Sequence, residues 1–119
     1  MAQEPKTPEQ KEKELRESIG KQLDLMTENL NLEEWQVFYM DSIMVHDYQG
    51  LSEELESLQK SGVENLNLYQ LTQDKWAEKI YSAFRKVLND QQWAKYLKSG
   101  AAREKKMRDK RAVMAASKQ

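Results

Sequence analysis

The chain of 119 residues has no cysteine, which removes disulfides, thiol nucleophiles and zinc–thiolate sites from consideration. Proline occurs twice, at Pro5 and Pro8, and glycine four times. Such scarcity of chain-breaking residues excludes a turn-rich β fold. There is one histidine, His46. No run approaches the roughly 18 apolar residues of a membrane-crossing helix, so no integral membrane segment is expected. The net charge is only −1, which gives no bulk attraction to nucleic acid or anionic lipid.

What remains is 33% charged and 39% apolar, the balance of thin helical assemblies that leave much of each helix in water. The fold class expected is all-α: an elongated antiparallel bundle or hairpin of about four helices. Residues 1–6 read as a disordered start, 7–100 as the helical domain, and 101–119 as a basic segment, helical or frayed. That last segment holds seven basic residues against Glu104 and Asp109, a local +5 that leaves −6 for residues 1–100. The polar start, "MAQEPKTPEQKEKE", reads as that of an exported protein after removal of a signal peptide, so a periplasmic or otherwise exported location is expected.

Helix grammar is clear in several places. Thr7, Pro8 and Gln10 form a capping box, and Leu15, Ile19, Leu23, Met26 and Leu30 follow at three- and four-residue spacing, predicting a helix over 8–29. A second helix is expected over 32–60, capped by Asn31 and bent or broken at Gly50, with Trp35, Phe38, Ser42 and Val45 along one face. "KSGVEN" at 60–65 is a loop. A third helix over 67–88 carries Leu68, Leu71, Trp76, Ile80, Phe84 and Val87, and Asn89 caps a fourth.

Two of these helix starts resemble each other. Leu30-Asn31-x-Glu33-Glu34-Trp35 returns as Leu88-Asn89-x-Gln91-Gln92-Trp93. Capping explains the pattern on its own: Asn accepts from first-turn amides, and the preceding leucine staples onto the tryptophan at the fourth helical position. The same residues carry a family resemblance. "LNDQQ" at 88–92 resembles the L-T-x-x-Q motif of the Spy/CpxP-like periplasmic proteins, with Asn89 in place of threonine. "LNLEE" at 30–34 resembles a second copy, with Asn31 for threonine and Glu34 for glutamine. Trp35 and Trp93 are also similar to those following such motifs in uncharacterised exported proteins of Bacteroidetes. The resemblance spans roughly residues 23–110. It implies a long helical hairpin between two motif-bearing helix starts, and chaperone or stress-sensor activity in the bacterial envelope.

Catalysis finds little support. His46 lies near Met40, Asp41, Met44 and Asp47, but one histidine without cysteine makes a poor transition-metal site, and no metal or cofactor is expected. Phosphate-binding loops, nucleophilic triads and metalloprotease motifs are missing, and the carboxylates read as solvated helix faces. The chain is therefore expected to be a non-enzyme. Three tryptophans and five tyrosines are instead a heavy load of amphipathic aromatics, suited to adaptable contacts. The binding face expected comprises Trp35, Phe38, Tyr39, Met44 and Tyr48, rimmed by Lys105, Lys106 and Arg108. The expected partner is a protein or unfolded client, with dimerisation also in view. The alternative is a structural or regulatory subunit with one defined partner. Nucleic-acid binding through residues 101–119 ranks third.

Overall fold

A computed structural model describes residues 4–117. All regular structure among them is helical: α1 (Pro8–Leu30), α2 (Glu34–Lys60), α3 (Leu66–Val87), α4 (Asp90–Tyr96) and α5 (Ala102–Ser117). The all-α bundle read from composition is the fold. Of the expected irregular start, residues 1–3 lie outside the described region, and residues 4–7 precede the first helix without regular structure. The bundle is a slab of 44 × 40 × 23 Å. Its radius of gyration, 16.3 Å, exceeds the roughly 13.5 Å of a compact domain of this length.

α1 begins as its sequence dictates. Thr7 accepts from the Gln10 amide, and the Gln10 side chain accepts from the Thr7 amide. Its stripe buries Ile19, Leu23 and Leu30, with Leu15 and Met26 packed alongside. α1 ends on Asn31 in the left-handed conformation (φ 54°, ψ 56°), one that asparagine tolerates better than most residues.

α2 is one helix through Gly50, as expected of the 32–60 segment. The glycine there serves close approach. A Cβ there would come within 2.7 Å of Trp76 Cζ3, so its absence lets the indole of α3 lie against the α2 backbone. Trp76 Nε1 also donates to Glu54, which pairs with Lys75. α2 and α3 thus form the central antiparallel hairpin, closed by the loop 61–65.

The fourth helix is divided. After α4 the chain makes a wide turn, Leu97–Ala101, in which the Ala102 amide reaches back to the Leu97 carbonyl. Gly100 carries φ 125° within it, a conformation open to glycine alone at low cost. α5 then runs antiparallel to α3. Its docking is mainly ionic: Arg108 and Lys105 bind Glu78, and Arg111 grips Asp74 through two bonds of 2.6 and 2.9 Å. The basic segment is helical to Ser117 and anchored to the body; residues 118–119 lie outside the described region.

A glutamine-locked junction and an aromatic face

Two buried glutamines organise one end of the bundle. Gln36 and Gln92 are 3% and 7% exposed, values ordinarily reserved for apolar side chains. Each is the third residue of its helix and accepts, through Oε1, from the backbone amide of its own N-cap: Glu33 for Gln36 at 2.9 Å, and Asn89 for Gln92 at 3.0 Å. The two amides also bond each other. Gln36 Nε2 donates to Gln92 Oε1 at 2.6 Å, and Gln92 Nε2 donates to Gln36 Oε1 at 3.0 Å. Their second N–H groups reach across to the opposite turn. Gln36 donates to the Val87 carbonyl at the end of α3, and Gln92 to the Leu30 carbonyl at the end of α1. Each side chain therefore completes its own helix start and closes the other pair's helix end. Every polar atom of both amides has a partner, which is what their burial requires.

This geometry corrects the repeat. Asn31 does not cap α2; it terminates α1, and Glu33 is the N-cap. The corresponding residues are Leu32-Glu33-Glu34-Trp35-Gln36 and Leu88-Asn89-Asp90-Gln91-Gln92, separated by 56 positions rather than by the apparent 58. Leu32 and Leu88, each preceding its N-cap, are both buried. The residues at the fourth helical position, where such a staple would close, are both partly buried against the same core: Trp93 in α4 and, in place of Trp35, Val37 in α2. Glu34 does not play the glutamine's part, being the exposed first residue of α2. Gln36 was missed, although "LEEWQ" beside "LNDQQ" carries the signal once leucine and glutamine, rather than asparagine and tryptophan, are matched.

Gln36 also sets the rotation of α2. With it turned inward, Met40, Met44 and Asp47 follow on the buried side at helical spacing. The expected apolar face of Trp35, Phe38 and Ser42 consequently points to water. Trp35, Phe38 and Tyr39 are 51%, 67% and 54% exposed and make edge-to-face contacts, with ring centres 6.2 Å apart for Trp35–Tyr39 and 5.7 Å for Phe38–Tyr39. The Trp35 indole N–H donates to Glu33 at 2.6 Å. These three residues of the expected binding face are brought together in the open.

The other two are not. Met44 is a core residue, 2% exposed, because it lies two turns beyond Gln36 on the inward side. Tyr48 is half-buried against the core; burial first, and then the charge of Glu104, push its hydroxyl pKa up. Nearby Tyr96 is pushed up to about 12, chiefly by burial. The expected basic rim also dissolves. Arg108 is buried, its guanidinium 5.4 Å from the Tyr81 ring centre and its Nε bonded to Glu78, with Nη2 unpartnered among the described residues. Lys105 bonds Glu78 and Asp109, and those bonds hold its ammonium above the ordinary range. Lys106 alone of the three is exposed. Met40 and Met44 are buried while the His46 ring stands in solvent, with Nδ1 2.8 Å from Asp47. The described residues contain no cluster of three or more histidine and carboxylate side chains able to hold a metal ion. None of their helices is long and apolar enough to cross a membrane.

No family model, no curated protein and no solved structure matches this chain.

Proposed function

We propose that this chain is a non-catalytic binding protein of the bacterial envelope, chaperone-like in action, that contacts unfolded or partly folded clients through Trp35, Phe38 and Tyr39. The observation that carries the reading is the exposure of three contiguous aromatic rings on a regular helix whose opposite side is committed to the interior through Gln36, Met40 and Met44. Apolar surface left in water at one place is what a partner covers. The kinship with Spy/CpxP-like proteins, and with it the periplasmic location, belongs to the same proposal. Its support is the pair of leucine–x–x–x–glutamine helix starts, Leu32–Gln36 and Leu88–Gln92.

The magnitude suits reversible contact. At these exposures the three rings offer roughly 250–400 Å² of aromatic surface. Burying that area contributes roughly 6–10 kcal/mol before the cost of association, about 4–15 kcal/mol, is set against it. Client contacts should therefore be transient. The rival reading, a structural or regulatory subunit with one defined partner, uses the same face and differs in selectivity. Nucleic-acid binding is disfavoured because Lys105, Arg108 and Arg111 are engaged by carboxylates of the chain itself.

Light scattering of a chemically unfolded client, diluted with and without stoichiometric protein, tests the reading against an unrelated protein of matched size and charge. Suppression beyond that control is expected, and Trp35→Ala with Tyr39→Ala should remove it while leaving the helical circular-dichroism signal intact. Truncating an aromatic anchor typically costs about 2 kcal/mol, roughly a thirtyfold loss of affinity. Equal scattering with and without the protein would sink the client reading.

A further inference from the structure

The aromatic rings of this chain are treated unequally. Lys79 and Lys75 lie 4.2 and 5.7 Å from the Trp76 ring centre, and Arg85 lies 5.4 Å from that of Trp93. Tyr81 carries both Lys105 and Arg108. Among the described residues, Trp35, Phe38 and Tyr39 carry no cation. The sequence supplies the reason: from Gln22 to Gln59 there is no lysine or arginine, against nine aspartates and glutamates. Glu33, bonded to the Trp35 indole, and the exposed Glu34 next in the chain stand by these open π faces, a setting that attracts a cationic, partly apolar surface.

That surface exists on the same chain. α5 docks on α3 through Lys105, Arg108 and Arg111, so its other side faces water. There Arg103, Lys106 and Lys110 are exposed beside Met107, Val113 and Met114, whose exposures are 51%, 69% and 59%. The inward basic residues are neutralised by Glu78 and Asp74, while the outward side mixes open cations with exposed apolar side chains, which a merely solvated helix face does not need. The two faces also match in length. Trp35 to Ser42 covers about 10 Å of helix and Lys106 to Met114 about 12 Å, at 1.5 Å per residue.

We propose that the outer face of α5 in one copy covers the acidic aromatic face of α2 in a second copy. The contact is heterologous, so copies add head to tail or close into a ring. Association and client contact use the same rings and exclude each other. The inference goes beyond the client reading, since it needs no client.

Sedimentation equilibrium over a concentration series, with the full chain, tests it in three forms: wild type, W35A/Y39A and K106E/K110E. In about 50 mM salt the wild-type mass should rise with concentration, and in about 500 mM salt it should fall back to the monomer as screening shortens. Each variant alone should stay monomeric. Their equimolar mixture should form a one-to-one dimer, because each retains the face that the other lacks. A wild type monomeric throughout, or a mixture that stays monomeric, overturns the proposal. So does association of K106E/K110E at wild-type strength, which would mean that aromatic faces pair with themselves. Circular dichroism checks folding; should W35A/Y39A lose helicity, Phe38→Lys at a more exposed position replaces it. K106E/K110E leaves the aromatic face open and should suppress client aggregation at least as well as wild type, so the two readings fail separately.

Discussion

Replacing Gln92 with alanine removes one half of the junction between the two helix starts. The Asn89 amide loses its acceptor, the Leu30 carbonyl loses a donor, and Gln36 keeps only Glu33 and Val87 as partners. Loss of a capping interaction costs about 1 kcal/mol. Stripping partners from buried polar groups adds about 1–3 kcal/mol. The expected destabilisation is therefore about 2–4 kcal/mol, a large share of the roughly 6–18 kcal/mol available to a chain of this length. Urea unfolding followed by circular dichroism should show it as a fall in midpoint of about 1–2 M at an unchanged slope. The exposed neighbour Gln91→Ala serves as the control. The double variant Q36A/Q92A should cost less than the sum of the single variants by about 1–2 kcal/mol, since either change already breaks the exchange of bonds. A Gln92→Ala cost no larger than that of Gln91→Ala, or additive effects within about 0.5 kcal/mol, would refute the idea of a coupled pair.

Gly50→Ala should destabilise by about 1–3 kcal/mol, because the new methyl collides with the Trp76 ring. Gly20→Ala, with open space around it, should stabilise by about 0.5–1 kcal/mol, and thermal melts of the two should move in opposite directions. Acid should release α5. Burial raises the Asp74 pKa, but bonds from Arg111 and Gln70 outweigh it and hold the group below its ordinary 3.8. That stabilisation is present above pH 3.8 and is lost as pH falls through the lower folded value, to be read by hydrogen exchange of the α5 amides. Alkali acts through Tyr96, raised from 10.0 to about 12: its contribution is full below pH 10 and fades toward pH 12, measurable as a falling midpoint in urea titrations.

Much of this structure is legible in the residues. The capping box at Thr7–Gln10, the stripe of α1 and the cap at Asn89 each rest on interactions within one or two turns, so local grammar locates them. Met44 and Tyr48 do not belong with the exposed rings, and sequence alone does not separate them because two faces of α2 compete. Trp35, Phe38 and Ser42 have apolar spacing as good as that of Gln36, Met40 and Met44. What decides is a partner for Gln36 on a distant turn, and no local window contains it. The same holds at Gly50, where the sequence shows a helix-weakening residue and only the position of Trp76 makes it a point of close packing. The basic segment was readable as charge, but its division into an engaged side and an open side depends on Asp74 and Glu78, a distance away along the chain.

The crossed closure of the two turns has a consequence for how the molecule opens. Gln36 closes the end of α3 and Gln92 closes the end of α1, so neither turn can loosen while the other stays intact. Four helix ends at this side of the slab become one cooperative unit, and their amides exchange with solvent together. The loop 61–65 at the far end of the central hairpin is held across to α3 by the Tyr69 hydroxyl, which donates to the Val63 carbonyl, and should open independently of the junction. Excursions from the native state should begin there, and the helix starts should be among the last parts to let go.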